Sequence, residues 1–224
     1  MGDYCETISD GEATAEEAPA LAQRVVDWLV QGEIVDGQPR RWVFGDTGYL
    51  PGRGYHKATT HPESIWFHYD SGREVRHPPA WFEQRPAPDL SHLTREQRED
   101  ISLSNVALRL KVGREVHYAI GSGVWCPKCG APFSWFEHER GPGSEETHDA
   151  WLSAVTNWYE GGEGVLICPG CSRRMTVKDL AYDPPWGFGY LAFEFWNWGG
   201  LRLDFIRQIA RLLGHAISVP YYKL

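Results

Sequence analysis

Two short cysteine turns constrain this chain more than any other feature. Cys126-Pro127-Lys128-Cys129-Gly130 and Cys168-Pro169-Gly170-Cys171 each follow a short apolar run and each hold two thiols two residues apart. Such a pair can chelate one metal ion from a tight turn whose backbone N–H groups face the sulfurs. With bonds of about 2.3 Å, four thiolates close a tetrahedral shell and leave no position for water. Cys126, Cys129, Cys168 and Cys171 therefore read as the ligands of one structural Zn2+ ion, the two knuckles of a zinc ribbon. A site of this kind stabilises a fold by roughly 10–16 kcal/mol in apparent terms at neutral pH. Disulfides fit poorly with a chain that shows no secretory signal. A redox Cys-x-x-Cys would open a helix, and a matched second copy would be unexplained. Iron is the remaining alternative for the metal.

The knuckles are separated by 38 residues, more than the usual short ribbon spacing. Trp151, Leu152, Val155, Trp158 and Tyr159 recur at helical spacing inside that gap, so a helix ending at Gly161-Gly162 is expected to pack beside the metal. Val165-Leu166-Ile167 is a strand leading into the second knuckle. Further on, Leu203, Ile206, Ile209, Ala210 and Leu213 mark a last amphipathic helix closed by Gly214, and Ile217 to Val219 a terminal strand.

The net charge is -8, unevenly spread. Asp3, Glu6, Asp10, Glu12, Glu16 and Glu17 crowd the start with no Lys or Arg among them, which predicts a disordered, solvated leader over residues 1–17. The 24 remaining acidic residues nearly balance 22 Lys and Arg, so the body is neither a basic nucleic-acid binder nor an acidic decoy. Cys5, within the leader, reads as an incidental thiol. No stretch approaches the roughly 20 apolar residues of a membrane span, so no membrane partner is expected and a cytoplasmic location is the default.

Residues 18–89 read as a helix followed by β-structure. Leu21, Val25, Trp28 and Leu29 share one face of a helix from Ala18 to Gln31, with Pro19 in its first turn and Gly32 at its stop. Thr14 and Glu17 have capping-box spacing, but a helix starting there would put Pro19 too deep. Trp42-Val43-Phe44 is a short apolar run. Ser64 to Tyr69 and Arg73 to Arg76 flank a turn at Asp70-Ser71-Gly72, and Pro78, Pro79, Pro86 and Pro88 mark an extended connector. In residues 90–224, packed with the first region as one continuous domain, Thr94 and Gln97 suggest a short capped helix. Val106 to Val112 and Val116 to Ile120 alternate as two strands turning at Gly113. The fold class is thus α+β: antiparallel strands, a few amphipathic helices and an integrated C-terminal zinc-ribbon module.

The 11 Trp are more than a core of this size requires. Tyr190, Ala192, Glu194 and Trp196 alternate with Leu191, Phe193 and Phe195, so the second set fills a core and the first places a charge beside rings. Trp186, Glu194, Trp196 and Trp198 have two readings, core filling or a surface presented to a partner. Nearby Arg173, Arg174 and Lys178 fit base stacking with phosphate contacts less well, because Glu137, Glu139, Glu145, Glu146 and Asp149 share the module. His56, His61, His68 and His77 match no metal-binding pair and read as surface residues, with a second site as the alternative. Gly45, Gly48, Gly52 and Gly54 form no phosphate-binding motif, and no nucleophile elbow or triad is recognisable, so no catalytic residue is assigned.

The chain resembles a family of uncharacterised bacterial proteins. The resemblance rests on Trp125 to Gly130, Ile167 to Cys171, Trp186-Gly187-Phe188-Gly189, Phe195-Trp196-Asn197-Trp198 and Leu212 to His215, with Trp28-Leu29 and Gly48 to Gly52 in the first half. It implies a bacterial origin and a zinc-ribbon-containing fold. The function expected from the residues is non-catalytic recognition of another protein, as an immunity protein for a cognate toxin or an adaptor. A nucleic-acid-associated zinc ribbon and an enzyme with its site in the Gly/His-rich first half are the alternatives.

Overall fold

The computed structural model describes residues 3–41, 47–59, 67–70, 73–76, 94, 106–119, 122–134 and 144–223. In chain order its strands are β1 (Tyr4–Asp10), β2 (Arg40–Arg41), β3 (Thr47–Gly48), β4 (Phe67–Asp70), β5 (Arg73–Arg76), β6 (Ala107–His117) and β7 (Gly123–Trp125). They continue with β8 (Pro132–Ser134), β9 (Val165–Ile167), β10 (Arg174–Thr176), β11 (Ala181–Asp183), β12 (Gly187–Trp196), β13 (Ile217–Ser218) and β14 (Tyr221–Lys223). Three α-helices accompany them among the described residues: α1 (Ala18–Gln31), α2 (Ser144–Tyr159) and α3 (Leu203–Leu213). The fold class is α+β, and the sheets are antiparallel.

α1 has the predicted bounds. Leu21, Ala22, Val25, Val26 and Leu29 form its buried stripe, and Pro19 lies in the first turn, where its missing N–H leaves no bond unmade. The Thr14–Glu17 box also forms, one turn early: the Thr14 N–H and hydroxyl donate to the Glu17 carboxylate, and the Glu17 N–H donates back to Thr14 Oγ1. α3 packs beside α1, with Trp28 resting on Phe205 at 5.6 Å between ring centres. Its last turn closes at Gly214, whose φ is 77°.

The main sheet has the order β13-β1-β12-β6, with β14 also paired to β1. The acidic leader expected over residues 1–17 is therefore corrected: Tyr4–Asp10 is an internal strand, paired with β12 along Cys5 to Asp10. Its carboxylates are bonded inside the protein. Glu6 accepts the Leu201 N–H at 2.7 Å; Asp10 accepts the Glu12 and Ala13 N–H groups and lies 2.9 Å from His215 Nδ1. Burial pushes the Glu6 carboxyl up to about 8, against the smaller opposing effect of the Leu201 N–H.

The turn expected at Gly113 is also corrected. Ala107–His117 is one strand paired with β12 throughout, and Gly113 with Arg114 lies opposite Tyr190 alone. Two residues against one make a β-bulge, which takes up the extra residue and redirects the strand's side chains. β4 and β5 pair with Asp70 opposite Arg73. Trp42-Val43-Phe44, residues 71–72, the 78–89 connector, the capped helix at 94–97 and Ile120 lie outside the described residues, Thr94 apart.

Three apolar clusters form, two of them large, and the division between those two ignores the boundary at residue 89. The larger joins Ile8, the α1 stripe and Tyr55 to Leu108, Leu191, Phe193, Phe195 and Ile206, so both regions share one core. Each such side chain taken from water contributes about 1.5–3 kcal/mol. The smaller cluster surrounds the cysteines with Phe133, Trp151, Val155, Trp158, Leu166, Met175 and Phe188. Among the described residues no helix is long and apolar enough to cross a membrane.

Candidate metal centre

Each cysteine pair sits at the tip of a β-hairpin, β7–β8 for Cys126 and Cys129, β9–β10 for Cys168 and Cys171. The two turns repeat one geometry. The Cys126 N–H donates to the Ala131 carbonyl at 2.8 Å and the Gly130 N–H to the Cys126 carbonyl at 2.9 Å. In the second turn the Cys168 N–H donates to Arg173 and the Ser172 N–H to Cys168, both at 2.9 Å. The residue after each second cysteine is left-handed, Gly130 at φ 74° and Ser172 at φ 56°. Glycine suits that position, and a serine there accepts backbone strain of order 1 kcal/mol.

The four sulfurs lie within 4.8 Å of one another. Cys126 and Cys171 are 4.0 Å apart and Cys129 and Cys168 3.5 Å, far beyond a disulfide. A tetrahedron with thiolate bonds of about 2.3 Å has edges of about 3.8 Å, so this quartet can hold one metal ion. Burial opposes ionisation of the Cys126 thiol, yet the Cys129 and Lys128 N–H groups facing its sulfur lower its pKa; at Cys129 the Ala131 N–H acts the same way, but burial and the neighbouring thiols outweigh it and raise the pKa. A bound metal ion would take all four as thiolates.

α2 walls the centre. Trp151, Ala154, Val155 and Trp158 form its buried face, while Leu152 and Tyr159 from the predicted apolar set point outward. Its last turn is fastened by Arg114, which the β6 bulge carries across. Arg114 donates to the Trp158 and Gly162 carbonyls and to Tyr190 Oη, and its guanidinium lies over the Trp158 ring. This residue gives no signal in sequence, because a bulge has no spacing pattern of its own.

The proposed recognition surface is corrected. Trp198 is buried between Tyr55 and Phe195, with ring centres at 4.7 and 5.0 Å. Trp196 is buried and donates its indole N–H to Glu194. Glu194, on the central strand, lies 3.6 Å from Arg109, which compensates the charge beside the rings internally, and 3.5 Å from the His117 ring. Burial, then the nearby Lys111 and Arg109, takes His117 down to about 4 and leaves it neutral. Trp186 is half-buried between Tyr182, Trp151 and Tyr118. Cys5 is no tail thiol but a buried member of this sheet face.

Arg174 pairs with Glu163 at 3.1 Å, both exposed. In the first half, Gly52 is a point of close backbone approach: a Cβ there would lie 2.2 Å from the Glu33 carbonyl oxygen, which explains the glycine without a phosphate. His56 is exposed; His61, His77, Gly45, Glu137 and Glu139 lie outside the described residues, as does the side chain of His68. No family model, no curated protein and no solved structure matches the chain.

Proposed function

We propose that this chain is a non-catalytic, zinc-stapled binding protein of the cytoplasm that recognises another protein, as an immunity protein for a toxin or an adaptor. The observation that carries the reading is the closed set of four cysteines. All four corners of the shell are thiolates, so a zinc ion there has no open position for water or substrate, and chemistry at the metal is left without a site. What the ion supplies when bound is rigidity: it ties two hairpins together beside α2. Nucleic-acid binding is the weaker reading, since residues 141–171 hold five carboxylates and no Lys or Arg.

The test is purification of the tagged full chain from its native host, with crosslinking mass spectrometry and elemental analysis. The expected result is one zinc per chain and a stoichiometric protein partner. Recovery of a nucleic acid in place of a protein, or a turnover that depends on the metal, would overturn the reading.

A further inference from the structure

We infer that the outer face of α2 is the docking surface for a basic segment of the partner protein; the inference rests on the recognition reading above and names its site and chemistry. The inner face of α2 is occupied by the metal module. On the other side Leu152 and Tyr159 stand seven residues apart, hence one above the other along the helix, and are 48% and 56% exposed. Thr156, also exposed, lies between them. Two scattered apolar side chains would need no explanation. These two are bracketed by carboxylates. Asp149 precedes Leu152 by one turn and Glu160 follows Tyr159 directly; both are exposed, and neither has an ion-pair partner among the described residues.

Charge selects the occupant. The chain has 22 Lys and Arg, and none falls between residues 141 and 171. A phosphate backbone or an acidic peptide would be repelled there. A Lys or Arg side chain is accepted twice over: its aliphatic stem can lie along Leu152 while its head reaches Asp149 or Glu160, and a guanidinium can stack on the Tyr159 ring. The surface is also presented rigidly. The metal hairpins hold α2 from one side and Arg114 holds its last turn, so little ordering is required of this partner on binding.

The experiment is an NMR titration of the zinc-loaded full chain with an amphipathic peptide of Leu and Arg, against a twin with Glu in place of Arg. The basic peptide should shift amides confined to Asp149–Glu160, and the acidic twin should shift none. Asp149→Lys with Glu160→Lys should weaken binding at least about tenfold, with zinc content unchanged. If that pair of reversals disturbs folding, Asp149→Asn with Glu160→Gln should give a smaller loss of the same sign. Shifts spread over the whole surface, equal response to both peptides, or indifference to charge reversal would each overturn the assignment. A native partner that binds the charge-reversed chain as tightly as the parent leaves the recognition reading standing and removes this surface alone.

Discussion

The Arg114 guanidinium lies 4.7 Å from the centre of the Trp158 ring and donates to the Trp158 carbonyl oxygen, so one side chain of β6 holds both the ring and the backbone of the last turn of α2. It joins the main sheet to the metal module. Arg114→Ala should lower stability by about 2–4 kcal/mol, because it removes the charged hydrogen bonds and the stacking on Trp158 in one step. Arg114→Lys should recover only part, because an ammonium lacks the planar fork that reaches Tyr190, Trp158 and Gly162 at once. Urea unfolding followed by circular dichroism checks both; equal stability of the three proteins would refute the joint.

Metal removal should act locally first. Chelation, or Cys126→Ser, is expected to strip hydrogen-exchange protection from α2 and the hairpins β7–β8 and β9–β10 before it touches β1 and β12. The two large apolar clusters are separate, and only the smaller of them contains metal-site cysteines. Simultaneous loss of protection across both would show that the module and the sheet unfold as one unit.

Glu6 sets a loss of stability as pH rises from 4.5 to about 8. Its folded pKa is raised to about 8, so the stabilising protonated form is fully present below the unfolded value of 4.5 and is lost as pH rises through 8. Glu6→Gln keeps an acceptor for the Leu201 N–H and removes the ionisation. The variant should match the parent near pH 4.5 and exceed it by about 3 kcal/mol near pH 7. Melting temperatures that differ equally at both pH values would contradict this.

His215 works in a neighbouring window. Its hydrogen bond to Asp10 raises its pKa above 6.5, with Glu12 and Glu17 also facing it. The pairing therefore stabilises the fold fully below about pH 6.5 and fades as pH rises through the raised value. His215→Gln should flatten that part of the stability profile, measured between pH 5.5 and 8 as a set of melting curves against the parent.

The elements legible in sequence are those whose signal is local. α1 and α3 announce themselves by apolar spacing and by Pro19 and Gly214, and the metal quartet by two matching turns. β1 is illegible because its acids look solvated, and the groups that meet them, the Leu201 N–H that donates to Glu6 and His215 beside Asp10, lie 195 and 205 residues further along the chain. The same holds for Glu194, whose partners Arg109 and His117 come from another strand. The Trp-rich segment shows the limit most plainly: alternation places Trp196 and Glu194 on one face, but cannot show that both faces of β12 are covered.

The position of β1 has a consequence for synthesis. Its pairing neighbours are β12, β13 and β14, all beyond residue 186. On the ribosome β1 is made long before any of these neighbours, and until they emerge Ile8 and Cys5 travel with an unpaired strand edge. Pairings so distant along the chain slow folding, because a long loop must close before they return any free energy. The backbone hydrogen bonds of α1 and of the metal hairpins join residues close in sequence, so these elements can begin to form while β1 waits.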